Sequence, residues 1–260
     1  MNTKVVTRSG VPRSIDFSHR DPCSVWILDT KTGIATVKKK IDLEKISRDL
    51  HSAVIGDVMD SMGLHLQFLP PEIQPLDPAM VLVGYAMPVL EASCVGTTIH
   101  AEQREQPFGK MFEALDDLRA GEVYLCSGAT GDFALWGELM TTRAMKLGAA
   151  GAVVDGYSRD TRGVLKLGFP TFSRGRYAQD QGVRGRVIDY RCPIKFSNGT
   201  HVDSGDLLFG DIDGVVVVPR KREREVLEAA MEKVRGENCV RDAIEQGMGA
   251  SDAFRRFGIM

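Results

Sequence analysis

The stretch from Trp136 to Asp160 constrains this chain most. Gly137-Glu138 opens a turn, Thr141 to Leu147 has the composition of a helix, Gly148 stops it, and Gly151 to Asp155 reads as a short buried strand running on to Arg159-Asp160. A helix followed closely by a buried strand is part of an α/β unit, where strand ends and helix starts gather at one edge. Anionic ligands bind there because the first amides of a helix lack partners. Glu138, Arg159 and Asp160 are expected to converge at that edge. Carboxylate oxygens suit Mg²⁺ or Mn²⁺, and a guanidinium grips a carboxylate through two parallel hydrogen bonds.

The flanking sequence continues the pattern. Val25 to Leu28 reads as a strand and Lys38-Lys39-Lys40 as a solvated lead-in to a helix. Leu43, Ile46 and Leu50, then Val54, Val58 and Met62, recur at helical spacing, with Gly63 closing the second segment. Pro70, Pro71, Pro75 and Pro78 mark an extended connector. Strands are expected over Met80 to Met87 and Val123 to Cys126, and a helix over Phe112 to Leu118 that Gly121 ends. The loop Ser127 to Asp132 is glycine-rich but has neither the Gly-Lys-Ser/Thr of a P-loop nor a GxGxxG turn. Beyond it, Gly185 to Tyr190 and Val202 to Pro219 predict short strands between Gly/Asp turns, a β-rich layer on one side of the helices. Asp203, Asp206, Asp211 and Asp213 are turn residues in this reading, since they lack EF-hand spacing. Lys221 to Arg235 is an amphipathic helix and Asp242 to Phe257 closes the chain helically. Residues 1–40 form a polar N-terminal arm or extension, and residues 41–260 a single domain.

Charge and cysteine content narrow the function classes. With 33 Lys+Arg against 35 Asp+Glu, no bulk field recruits nucleic acid or anionic lipid. Cys23, Cys94, Cys126, Cys192 and Cys239 are scattered, odd in number and free of CxxC spacing, which argues against a disulfide framework or a zinc site. His51, His65, His100 and His201 show no ligand spacing either. Met1 to Lys4 leads into polar sequence, and no apolar run is long enough to span a membrane. The expectation is a cytoplasmic protein acting on small molecules.

Several motifs in order carry a family resemblance. His51-Ser-Ala-Val-Ile-Gly-Asp57-Val-Met-Asp60-Ser-Met-Gly63, Trp136-Gly-Glu-Leu-Met, Arg159-Asp160, Gly168-Phe-Pro-Thr-Phe and the Gly205 to Pro219 tract resemble the family of 4-hydroxy-4-methyl-2-oxoglutarate aldolases and regulators of ribonuclease E activity. The resemblance implies a β/β/α swivelling-type α/β fold with a helical N-terminal segment and C-terminal helices, assembled as a homotrimer or homohexamer. It also implies a divalent-metal-dependent lyase acting on a carboxylated 2-keto acid, an aldolase or oxaloacetate decarboxylase, or alternatively a non-catalytic regulator that docks on a protein. The family's aldolase pattern is an acidic residue, twenty intervening positions, then Arg-Asp, which Glu138 and Arg159-Asp160 satisfy. By resemblance Asp160 ligates Mg²⁺ or Mn²⁺, Arg159 binds the keto-acid end, Glu138 helps hold water on the metal, and the turn at Gly137 with the amides of Leu139 and Met140 receives the pyruvyl group. Glu237 is the best match to a carboxylate that a neighbouring subunit supplies.

Two positions depart from the family. Glu138 stands where Asp is usual, and Gly163 where an acidic residue is frequent, leaving Arg162 beside it as a cation to read a second anionic group on the substrate. The chemistry explains the residue types. Cleavage beside a 2-keto acid leaves a pyruvate enolate whose charge needs a Lewis acid, and Arg159 adds a cation that does not titrate.

Overall fold

The structure, a computed structural model, describes residues 24–28, 35–39, 41–94, 107–129 and 131–259. It divides into two compact units, Met1–Asp42 and Leu43–Met260. In the first, β1 (Ser24–Leu28) pairs antiparallel with β2 (Ala35–Lys39). The strand expected at Val25 is present. Lys38 and Lys39 belong to β2, opposite Val25 and Ser24, so these two are strand residues and not a helix lead-in, while Lys40 lies outside the described residues. The polar stretch before Ser24 lies outside the described residues.

The second unit opens with α1 (Leu43–Asp49) and α2 (Ser52–Ser61), as the apolar spacing predicts. His51 caps α2, its Nδ1 accepting from the Val54 amide at 3.4 Å. An eight-stranded mixed sheet follows. Its order runs from β14 (Gly214–Val218) and β13 (Leu207–Asp211) through β4 (Leu82–Ser93), β5 (Glu122–Ser127), β7 (Gly151–Val154) and β9 (Thr171–Ser173) to β3 (Gln74–Pro75), while β10 (Gly185–Tyr190) also pairs with β4. β4, β5, β7 and β9 are mutually parallel, and outside this sheet β11 (Ile194–Lys195) pairs antiparallel with β12 (His201–Val202). The end strands β14 and β3 approach one another, and Leu69 donates its amide to Val215 at 2.9 Å, so the sheet curls nearly into a barrel.

Two buried clusters follow from strand alternation. On one face, Met87, Val89, Tyr124, Cys126 and Val154 pack with Met111, Leu115 and Ala144 of two covering helices, α3 (Met111–Asp116) and α4 (Glu138–Lys146). On the other, Leu82, Val123, Leu125, Val153, Phe172, Leu208 and Val217 fill the curled interior. The chain closes with α6 (Glu223–Glu245) and α7 (Ala250–Phe257), α5 (Thr161–Leu167) having been formed after Arg159-Asp160. The amphipathic helix therefore runs past Arg235, and Gly247 at φ 98° separates it from the last one. Two of the four aspartates after Val202 bond backbone as turn residues do: Asp206 accepts from the amides of Asp203 and Arg220, and Asp211 from those of Asp213 and, across the fold, Ser52. Among the described residues no helix is long and apolar enough to cross a membrane.

Candidate functional site

Two short parallel strands build the site. β6 (Ala134–Trp136) lies beside β8 (Tyr157–Ser158), and each runs directly into a helix, β6 through Gly137 into α4 and β8 through Arg159-Asp160 into α5. The Arg159 amide donates to the Trp136 carbonyl at 2.9 Å, which ties the two exits together. A third segment, residues 175–180, pairs with both strands through Ser158 to Gly175, Tyr177 to Ser158 and Ala134 to Gln179 hydrogen bonds.

Glu138 is the first helical residue of α4, not a turn residue before a helix at Thr141. Gly137, the N-cap, offers no side chain, so the amides of Glu138, Leu139 and Met140 have no partner within the helix. Thr141 braces this end: its Oγ1 donates to the Gly137 carbonyl at 3.0 Å and accepts from Trp136 Nε1 at 2.8 Å. Trp136 is buried, stacked on Phe169 and tilted against Tyr124, so it belongs to the core while one edge lines the cavity described below.

Asp160 has φ 54° and ψ 30°, the left-handed region, in the residue that starts α5. A non-glycine residue there carries strain of the order of 1–2 kcal/mol, less for Asp than for most. The bend brings its carboxylate over Gly137, where a Cβ would fall 2.8 Å from Asp160 Oδ2. A side chain at 137 would push the Asp160 carboxylate off this position. Arg159 lies between two carboxylates, with Nε 3.7 Å from Asp160 Oδ2 and Nη1 3.2 Å from Asp180 Oδ1. Glu138 folds toward α5, its Oε2 only 2.2 Å from where a Cβ of Gly163 would stand.

Gly137, Leu139, Met140, Arg159 and Asp160 line one cavity together with Asp180, Gln181 and the aromatic rings of Phe108, Phe112 and Trp136. Asp180 and Gln181 were not legible in the sequence, since a polar dipeptide in a loop carries no periodic signal. Arg162, in the first turn of α5, is exposed and does not line this cavity. Glu237 lies elsewhere in the chain, on α6, where Lys233 Nζ bridges it at 3.4 Å to Asp57 at 3.0 Å.

Among the described residues no group of three or more His, Cys, Asp or Glu side chains is gathered to hold a metal ion. Asp160 still has the donor character a hard divalent cation takes. Its carboxylate is half-exposed and only loosely paired with Arg159, and Mg²⁺ ordinarily uses one or two carboxylates while keeping several waters. The residues present fit such an ion.

Behind the site, burial dominates the electrostatics. Glu91, near the end of β4, has both carboxylate oxygens buried without a hydrogen-bond partner among the described residues, and burial pushes its pKa up to about 8. The Cys126 thiol and Tyr124 hydroxyl beside it are also pushed well up by burial. Asp155, at the end of β7, is bonded instead, accepting from Ser127 Oγ and Arg174 Nε at 2.6 Å each.

The model of the RraA-like family, Aldolase/RraA, matches residues 52–217. A protein of Halalkalibacterium halodurans named "Putative 4-hydroxy-4-methyl-2-oxoglutarate aldolase" is 30% identical over 83% of this chain and 94% of its own length. Protein DlpA of Legionella pneumophila is 27% identical over 76% of this chain, which spans only 31% of DlpA. The crystal structure of an uncharacterized protein from Pseudomonas syringae pv. tomato superposes with a TM-score of 0.72 at 28% identity, covering 83% of this chain and 93% of that one. The strand exits at Gly137 and Asp160 fall inside the matched segment, and the chain belongs to the RraA-like, Aldolase/RraA family.

Proposed function

We propose that this protein is a divalent-metal-dependent carbon–carbon lyase acting on a 2-keto acid. The observation that carries the reading is Asp160, held in a strained left-handed bend with its carboxylate over Gly137, at the uncapped start of α4 and beside Arg159. A protein that only docks on a partner has no use for that strain, which disfavours the non-catalytic regulator.

In this reading Asp160 holds Mg²⁺ or Mn²⁺. When bound, the cation supplies the Lewis acidity that an enolate of pyruvate needs. Arg159 receives the substrate carboxylate in its fork, and the free amides of Leu139 and Met140 face the same anionic end. In aldol cleavage the C3–C4 bond breaks and its electron pair stays on C3 as the enolate. The 4-hydroxyl loses its proton and becomes a carbonyl, and C3 then takes a proton to give pyruvate. Glu138, at the same edge but outside the cavity wall with its carboxylate against Gly163, takes and returns these protons through water. Loss of CO₂ from oxaloacetate passes through the same enolate, so decarboxylation accompanies cleavage. Glu237 supplies a further carboxylate from a neighbouring copy in a homotrimer or homohexamer, which is part of the same proposal.

Pyruvate release from a panel of 4-hydroxy-2-keto acids and oxaloacetate, with Mg²⁺ and with excess chelator, tests this. Release only with the metal is the expected result. No release from any of them, or undiminished release in chelator, would sink the lyase reading.

A further inference from the structure

The cavity at Arg159 encloses about 240 Å³, below the roughly 300–1,000 Å³ of pockets for drug-sized ligands. Its occupant is therefore a small molecule. The composition of the wall says more. Phe108, Met111, Phe112, Leu135, Trp136 and Leu139 make most of it, and among the described lining residues Arg159 is the sole cation. The other charges there, Asp160 and Asp180, are negative. Phe108 and Phe112 meet edge to face, centroids 5.5 Å apart, and form an aromatic corner of the wall.

Resting on the lyase reading, we infer that the substrate is amphipathic. Its 2-keto acid end lies at Arg159, and the half beyond the scissile bond is apolar, an aryl or branched alkyl group without a second carboxylate. A second carboxylate would lose hydration against the aromatic wall, and among the described lining residues there is no cation besides Arg159, which the 2-keto acid end already occupies. Asp180 would repel it as well. Arg162, the sequence's candidate for such a partner, is not in this wall. A ring, by contrast, is desolvated against Phe108, Phe112 and Trp136 and finds edge and face partners there. Cleavage of such a substrate yields pyruvate and an apolar aldehyde or ketone.

Calorimetric titration of the full chain with Mg²⁺, using phenylpyruvate, 4-methyl-2-oxopentanoate and 2-oxoglutarate, tests the inference. The first two should bind at least about tenfold more tightly than the dicarboxylate. Phe112, 59% exposed, can be cut back without hollowing the core. Phe112→Ala should weaken phenylpyruvate by roughly 3- to 10-fold, the range for one aromatic pair, and 2-oxoglutarate by less. Phe112→Lys should narrow or invert the preference. Equal or tighter binding of 2-oxoglutarate, an equal loss of both acids in Phe112→Ala, or no binding of any of them would overturn the inference. Proton exchange into pyruvate, which has no distal half, tests the lyase reading separately. Exchange without the apolar preference defeats this inference alone, and the preference without exchange defeats the lyase reading alone.

Discussion

The carboxylate of Glu138 rests on the Cα of Gly163: a Cβ at position 163 would stand 2.2 Å from Oε2 and 2.3 Å from Cδ. The two departures from the family pattern, a longer acid at 138 and a missing side chain at 163, are therefore one spatial arrangement. The glycine makes room for the extra methylene.

Gly163→Ala follows directly. Its backbone is not left-handed, and Ala outdoes Gly inside a helix by about 1 kcal/mol, so α5 should not be destabilised once the exposed Glu138 swings aside. Activity should fall roughly 10- to 100-fold, because misplacing an acid–base group costs about that much. Glu138→Asp in the same chain should restore part of the loss. A double-mutant cycle in kcat/KM checks this, and purely additive effects would show that the two residues do not act together.

Arg159→Lys should cost about 1.5–3 kcal/mol, or roughly 10- to 150-fold in kcat/KM, since an ammonium cannot make the forked contact. Asp180→Asn is predicted to raise KM by roughly 3- to 10-fold through loss of the 3.2 Å hold on Arg159. The pair is partly exposed, so global stability should move by less than about 1 kcal/mol. Steady-state kinetics beside urea denaturation separates the two effects. Unchanged kinetics in Arg159→Lys would make the residue structural.

Glu91 predicts a pH dependence of stability. Its folded pKa of about 8 lies above the unfolded carboxylate value, so the folded state holds the proton that the unfolded state has lost. Stability should fall as pH rises from about 4.5 to 8, by roughly 3–6 kcal/mol for an unrelieved shift of this size. Burial is the cause, and the neighbouring Tyr124 and Cys126 stay neutral over that range. Glu91→Gln should flatten this slope in urea denaturation measured from pH 5 to 9. A slope equal to that of the wild type would show that Glu91 is solvated.

What could be read in advance was periodic or punctuated. Leu43 to Met62 carries helical spacing and Val123 to Cys126 is apolar on both faces, and both form the expected elements. Glu138 and Arg159-Asp160 sit at glycine-marked strand exits, which local sequence does reveal. Strand β4 shows the limit. Pro88 argues against a strand continuing past Met87, yet β4 runs to Ser93. Along β4 the pairing with β13 stops at Tyr85 and the pairing with β10 starts at Val89, so the missing amide of Pro88 falls in the gap between them. That arrangement depends on residues more than a hundred positions away and leaves no local trace. The same holds for Asp180, which reaches Arg159 because the segment before it pairs with β6 and β8.

The central claim is that Asp160 and Arg159 serve formation of a pyruvate enolate. Exchange of the pyruvate methyl protons into D₂O, followed by proton NMR with Mg²⁺ present, measures that step without a leaving group. The wild-type chain should catalyse exchange, and excess chelator should abolish it. Asp160→Asn should exchange at least about 100-fold more slowly at unchanged stability, since Asn also tolerates the left-handed bend but is a poor ligand for a hard cation. Exchange at the wild-type rate in Asp160→Asn, or in chelator, would contradict the account.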